Sequence, residues 1–454
     1  MEFVRSTPLP VLAQEAYQWH SRPGAFYRLN PPWDPVTVIE PPEGLEVGAR
    51  AIVRAGIGPI RPRMRFEHTV CEPGSRFVDE QIQGPFRHWR HEHRFLPGTD
   101  PGTSILQDRL EVEGPLGRFG DRILRGKLER LFRYRQATTR QDLVQWQAFR
   151  AEPRKEIVIS GGSGLVGRHL TAFLRAQGHQ VVWLSRRDGP DRVQWDPERG
   201  RVPVALIARA DVVLHLAGEN LLGRWTRAKR KAIRDSRVTT TALLARTLAD
   251  VGRKDQVFIC ASGANAYGHR LKEPVDESAS RGEGFLADVC ADWEGAADPA
   301  RQAGIRTVFL RTGVVLSAAG GALNLMLPAF QAGLGGPLGD GKQRFAWIAI
   351  DDLVAAVQHI LFHRELEGPV NAVAPESPPQ REFARQLGRV LHRPAILPVP
   401  AIGLRLVLGQ MAEETLLADL PVRPKKLLES GYGFTYGSLK PALAHLLGRA
   451  APDA

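Results

Sequence analysis

Between the apolar run KEIVIS (155–160) and a segment of helical periodicity the chain places GGSGLVG, with glycines at 161, 164 and 167. No other stretch limits the fold as tightly. The four apolar or small residues Ile157–Ser160, followed at once by glycines and then by apolar residues three and four apart, read as strand, tight turn, helix. Glycines there permit positive φ and keep side chains away from whatever approaches the turn. The first backbone N–H groups of the helix lack internal partners and carry the positive end of its dipole, so they suit an anion. Gly161, Ser163, Gly164, Leu165, Val166 and Gly167 are therefore the candidate cradle for a pyrophosphate. A structural βα turn is the alternative; the position at the head of a new domain favours the cradle.

The segments that follow extend the pattern. VVWLS, ADVVLHLAG, QVFICAS and RTVFLRTGVVL read as strands, with a long helix at 226–251 and another over FLADVCADWEGAADPARQAG. Strands alternating with helices predict a doubly wound parallel sheet of the Rossmann kind. The second strand ends at Ser185-Arg186-Arg187, where an acidic residue would suit the ribose hydroxyls of NAD. Guanidinium groups suit a 2′-phosphate, so NADP(H) is the expected cofactor. Leu216, Ala217 and Gly218 close the next strand with small residues at the sheet edge where the cofactor would lie.

The character of the chain is different before Ala151. An extended FVRSTPL and a helix over VLAQEAYQWH precede six short runs: PVTVIE, ARAIVRAGI, RMRFEHTV, SRFVDEQI, RHWRHEHRF and SILQDRLEV. Gly and Pro punctuate them, as in an antiparallel sheet. An amphipathic helix over Gly117–Phe149 closes the segment, with Ile123, Leu124, Leu128, Leu131, Phe132 and Leu143 on its stripe. Residues 1–150 are expected to fold independently and to bind an apolar small molecule between sheet and helix. His91 and His93 share a strand face; half-exposed strand residues are the favoured reading over a metal site, and no metal is expected.

With 454 residues, two or three domains are expected. The net charge of +12 raises the question of nucleic acid, but the basic residues are dispersed. The densest run, RWTRAKRKAIRDSR (224–237), reads as one helix, and no nucleic-acid motif accompanies it. Three cysteines with no CxxC pair point to neither disulfides nor zinc, but to a reducing compartment, and the opening residues do not form a signal peptide. The most apolar segment, AILPVPAIGLRLVLGQM, is broken by Pro398, Pro400 and Arg405 and is too interrupted for a membrane span. A cytoplasmic location follows.

Longer blocks carry a family likeness. ISGGSGLVGRHL, HLAGENLLGRWT, Asp235-Ser236-Arg237, CADWE, RTGVVLSAAGGAL, MLPAF, GLGGPLGDGKQRFAWIAIDD and LHRPAILPVP occur in order from Lys155 to about Leu447. This stretch resembles the atypical extended short-chain dehydrogenases called YfcH-like, or nucleoside-diphosphate-sugar epimerase-like. The resemblance implies a Rossmann domain over 155–393, a DUF1731-like cap over 394–447, and NADP(H) held by Ser185, Arg186, Leu216, Ala217 and Arg237. It also implies that Trp347–Asp352 supports the site. Residues 1–150 resemble, in element order, the helix-grip fold of the START-like or polyketide-cyclase-like (SRPBCC) superfamily, a domain absent from shorter family members. The Tyr-x-x-x-Lys pair of short-chain dehydrogenases is missing: aligned on Glu294, Cys290 takes the lysine position and Leu286 or Phe285 the tyrosine position. Ser262 stands one place before the usual catalytic serine, and Tyr267 is a substitute acid or a structural aromatic. Two functions remain open: an NADP(H)-dependent oxidoreductase or epimerase-like enzyme on an unknown small molecule, and a non-catalytic NADP(H)-binding regulator.

Overall fold

Every second residue of Ser104–Glu113 turns inward, and that parity organises the first half of the molecule: Ser104, Leu106, Asp108, Leu110 and Val112 are buried while their neighbours are not. The computed structural model describes residues 1–34, 36–56, 61–114 and 117–449, without the side chains of 118 and 119. In chain order the first elements are β1 (Glu2–Leu9), α1 (Ala13–Ser21), α2 (Pro23–Arg28), β2 (Thr37–Glu40), β3 (Arg50–Arg54), β4 (Arg63–Glu72), β5 (Arg76–Gln83), β6 (His88–Pro97), β7 (Ser104–Glu113) and α3 (Gly117–Phe149). The strands form one antiparallel sheet in the order β1-β7-β6-β5-β4-β3-β2. Each expected strand is present among the described residues, although the start of PVTVIE and the end of ARAIVRAGI lie outside them. The short helix α2 was not foreseen. Arg28 in it donates to Asp142 of α3 through Nε (2.9 Å) and a terminal nitrogen (2.8 Å), a buried bidentate pair. The stripe of α3 meets the sheet where Leu128 and Phe132 pack with Phe3, Leu110 and Val112.

The half-exposed reading of His91 and His93 is corrected: they are 4% and 7% exposed. Their strand lies inside the sheet between β5 and β7, and their face is covered: Phe132 of α3 stands 5.4 Å from the His91 ring and His20 of α1 stands 6.2 Å from His93.

After β7 and α3 the connections change. The remaining elements are β8 (Glu156–Ser160), α4 (Leu165–Ala176), β9 (Gln180–Ser185), β10 (Arg192–Gln194), α5 (Val204–Arg209), β11 (Val212–His215), α6 (Arg227–Val251), β12 (Val257–Gly263), α7 (Phe285–Gly295), α8 (Asp298–Gln302), β13 (Arg306–Thr312), β14 (Val314–Leu316), α9 (Gly321–Gln331), β15 (Trp347–Ala349), α10 (Ile350–Phe362), β16 (Gly368–Ala372), α11 (Gln380–Leu391), α12 (Ala401–Leu408), α13 (Lys425–Glu429) and α14 (Leu439–Leu446). Seven strands pair in parallel in the order β10-β9-β8-β11-β12-β13-β16. The chain moves outward from β8 to β10, then returns to β11 on the other side. That reversal opens a crevice at the carboxyl ends of β8 and β11, where open α/β sheets bind ligands.

Two expected elements divide. FLADVCADWEGAADPARQAG becomes α7 and α8. RTVFLRTGVVL becomes β13 in the main sheet and β14, which leaves it at Gly313 to pair with β15. The chain divides into two compact units, 1–153 with 171–179, and 154–170 with 180–454. Among the described residues no helix is long and apolar enough to cross a membrane.

Candidate dinucleotide site

The turn leaves β8 at Gly161, whose φ of +76° is a conformation that side chains disfavour. A Cβ on Gly161 would also stand 2.8 Å from the backbone of Leu216 and Ala217, so this glycine lets the first turn lie directly against the end of β11. Gly162 rests on Trp183 of β9, where a Cβ would fall 2.5 Å from the indole. Gly167 sits in the first turn of α4, where a Cβ would come within 2.4 Å of the Gly161 carbonyl oxygen. Gly164 differs. A Cβ there would meet only that same oxygen, at 3.2 Å, and Ser163 and Gly164 are exposed. Three glycines are thus demanded by the protein's own packing. The fourth is the least crowded, with one backbone oxygen near its would-be Cβ, and stands exposed at the start of a helix, where an anion would be received.

Leu216 is tied to β8 by its N–H to the Ser160 carbonyl (3.1 Å). Beneath it lies a network the sequence did not single out. Ser160 Oγ is 2.5 Å from His215 Nδ1, and His215 Nε2 is 2.9 Å from Thr240 Oγ1. Thr240 donates its own proton to the Ser236 carbonyl, so it accepts from His215, and Ser160 donates to the imidazole's lone pair. Burial, with Arg237 nearby, lowers the His215 pKa to about 3, consistent with this neutral tautomer.

Gly218 packs against Arg237, whose guanidinium carbon would be 3.1 Å from a Cβ at that position. The guanidinium donates to the carbonyls of Ile233 and Glu219 (3.0 Å each) and lies 5.1 Å over the Trp293 ring. Ser236 Oγ accepts from the Glu219 N–H at 2.9 Å. Ser236 and Arg237 therefore shape the loop after β11. Lys229 and Arg234 of the basic helix α6 are paired with Glu219 and Asp292, so part of its charge is spent internally. Ser185 and Arg186 end β9, the strand beside β8. Arg186 is exposed, and no side-chain partner for it is found among the described residues.

Ser262 and Tyr267 are not brought together as a reactive pair. Ser262 Oγ donates to Glu294 Oε1 at 2.8 Å, and Glu294 receives two 2.8 Å hydrogen bonds from Arg311. Burial would raise the Glu294 pKa, but Arg311, Ser262 and Arg281 outweigh it and hold the carboxyl below its usual range. Tyr267 is 2% exposed, packs in the core with Ala346, Val373 and Val422, and donates to Asn371 Oδ1 at 2.8 Å. Burial pushes its pKa up. Both hydroxyls are committed to buried partners. At the positions aligned with the missing Tyr and Lys, Leu286 and Cys290 are buried, and burial likewise raises the Cys290 thiol.

The Trp347–Asp352 block acts at a distance. Asp352 accepts from the N–H groups of Thr435 (2.9 Å) and Tyr436 (2.8 Å), and Asp351 lies 3.2 Å from His445, so the block anchors the C-terminal tail. Another part of the tail meets the site: Glu414 accepts from the N–H groups of Phe285 (3.0 Å) and Leu286 (2.7 Å), and its carbonyl accepts from Asn265 Nδ2 (2.7 Å). Glu294, Arg311 and Ser236 stood inside blocks singled out in the sequence. Glu414 carried no local signal.

Three family descriptions match the chain: the NAD dependent epimerase/dehydratase family over residues 157–372, a domain of unknown function (DUF1731) over 399–446, and polyketide cyclase / dehydrase and lipid transport over 9–136. An epimerase family protein from Mycobacterium tuberculosis is 40% identical over 64% of this chain and 96% of its own length. The crystal structure of a nucleoside-diphosphate sugar epimerase from Corynebacterium glutamicum is 33% identical, with a TM-score of 0.81 over 98% of this chain and 90% of that one. The human epimerase family protein SDR39U1, solved with NADPH, is 35% identical, with a TM-score of 0.59 over 64% of this chain and 99% of its own. UDP-sugar epimerases at 17–19% identity share the fold. With the glycine turn and the strand reversal in place and DUF1731 matched over 399–446, the chain belongs to the epimerase family of extended short-chain dehydrogenases, with a polyketide-cyclase-like domain at its N-terminal end.

Proposed function

We propose that the chain binds NADP(H) at the carboxyl edge of β8, β9 and β11 and uses it on a carbonyl-bearing small molecule, as an oxidoreductase or epimerase-like enzyme. One observation carries the reading: Gly164 stands exposed at the start of α4 while Arg186 stands exposed at the end of β9. The turn would hold the pyrophosphate through backbone N–H groups, and Arg186, with Ser185, would meet the 2′-phosphate. The human relative solved with NADPH supports the same cofactor. Bound NADPH supplies a hydride. The chain's own residues shape the floor beneath it: His215 holds β8 to β11, and Arg237 and Ser236 fix the loop after β11. Glu294 and Arg311 lock Ser262.

A second reading has its own support. Ser262 and Tyr267 both spend their hydroxyls on buried partners, as expected of a non-catalytic NADP(H)-binding regulator. Two measurements separate the readings. In a fluorescence titration, Arg186→Asp should weaken NADPH binding by about tenfold or more, the scale of a charged hydrogen-bonded contact, and NADH binding far less. Equal loss for both cofactors would overturn the assignment. Oxidation of NADPH by any member of a carbonyl panel would then favour the enzyme, and tight binding without turnover would favour the regulator.

A further inference from the structure

On the inner face of the first sheet, Asp79 of β5 pairs with His91 of β6, and His93 pairs with Asp108 of β7. One oxygen of Asp79, Oδ1, lies 3.4 Å from His91 Nδ1 and 3.7 Å from His93 Nε2. The opposite nitrogens of both rings turn to a single atom, Asp108 Oδ1, at 3.2 Å from His91 Nε2 and 2.8 Å from His93 Nδ1. The His93 contact is short but off the line of the ring N–H. Asp108 can only accept, so the ring nitrogen nearest it is the natural place for each imidazole's proton, hydrogen-bonded in His91 and merely adjacent in His93.

The consequence is on the other side. His91 Nδ1 and His93 Nε2 then present lone pairs toward Asp79 Oδ1, itself an anionic lone-pair atom. Such atoms this close together need a shared positive charge, which protons on the two rings or a metal ion can supply. Around a tetrahedral centre with bonds of about 2.0–2.1 Å, ligand atoms are about 3.4 Å apart. The Asp79 oxygen is separated from the two nitrogens by nearly that spacing. Asp79, His91 and His93 each offer one ligand atom within 4.8 Å of the other two. Asp108 stands where metal-binding imidazoles take their outer carboxylate, which fixes the tautomer and raises the ring's basicity.

A further buried group points the same way. His68 on β4 is the cross-strand partner of Asp79, is 8% exposed, and its Nδ1 has no hydrogen-bond partner among the described residues. The Asp79 side chain keeps 20% of its exposure, which offers a way in from solvent.

We propose that Asp79, His91 and His93 form a binding site for a divalent transition-metal ion, with Asp108 orienting both histidines and His68 poised beside Asp79. Two histidines and one carboxylate suit Zn²⁺ or Fe²⁺ and leave at least one position open. A ligand of this domain with an oxygen or nitrogen donor could fill that position. This departs from the expectation of a wholly apolar ligand and of no metal.

The test uses the full chain without an affinity tag, stripped with a chelator and then given one equivalent of ZnCl₂, or of Fe²⁺ under argon, before desalting. About one ion per chain should be retained, the two arms showing which metal the site prefers, and Co²⁺ should give visible d–d bands of a low-coordinate site. Asp79→Asn and His93→Gln should each weaken binding more than about 100-fold, and Asp108→Asn about 10–100-fold, with far-UV circular dichroism unchanged. If the wild-type chain retains none of the metals, the cluster holds protons and the proposal fails. It fails equally if Asp79→Asn retains metal as the wild type does, because the ion then sits elsewhere. The wild-type stoichiometry and Co²⁺ spectrum decide the matter even where a variant does not fold.

Discussion

At the scale of single residues, the glycines of the turn divide by what would meet a side chain. Gly167 lies under the Gly161 carbonyl oxygen, and a methyl group there has nowhere to go. Gly167→Ala should therefore destabilise the protein by about 1–3 kcal/mol, the cost of forced overpacking, as read by chemical denaturation. Gly164→Val should cost far less stability than Gly167→Ala, its β-carbon meeting one backbone oxygen at 3.2 Å, and should lose NADPH binding, because its side chain stands on the exposed side of the turn. A Gly164→Val protein that stays folded and binds normally would remove the cofactor from this turn. The role of the turn was legible because glycine spacing is a local signal. The role of His215 was not: an imidazole inside an apolar strand declares neither its tautomer nor its partners, which come from β8 and α6. The same limit explains His91 and His93. Strand parity put them on one face, but only the packing of α1 and α3 decides that the face is covered.

At the scale of elements, α7 shows how a helix can depend on a distant residue. Its N-cap, Gly284, makes no side-chain capping hydrogen bond, and the first N–H groups are instead received by Glu414, more than a hundred residues later. A carboxylate at this end completes the unsatisfied donors and opposes the positive end of the dipole. Glu414→Ala should cost about 1–3 kcal/mol, the penalty of leaving buried donors unpaired. A change in unfolding free energy within error of zero would show that other groups cap the helix. Sequence reading places caps by proximity, so a cap from the C-terminal tail is invisible to it. The division of β13 from β14 at Gly313 was hidden for a related reason. A Cβ on Gly313 would stand 2.8 Å from the Ala346 carbonyl oxygen, and that neighbour is known only once β15 is in place.

At the scale of the whole molecule, the order of the first sheet sets an order of assembly. Strands β2 to β6 each pair with the next along the chain and close short loops. The first strand, β1, cannot: among the described residues its one strand partner is β7, with Phe3 opposite Leu110. A nascent chain therefore carries an unpaired β1 until about a hundred further residues have been made, and closure of so long a loop is slow compared with hairpin formation. In pulse-labelled hydrogen exchange during refolding, amides of β4, β5 and β6 should gain protection before those of β1; earlier protection of β1 would contradict this order. Until it docks, β7 presents an open edge to any strand-forming neighbour. The buried pairs His91–Asp79 and His93–Asp108 belong to β5, β6 and β7, so they can assemble while that edge is still open. The chain's most vulnerable interval during synthesis thus falls after its polar cluster has formed and before its own beginning has come home.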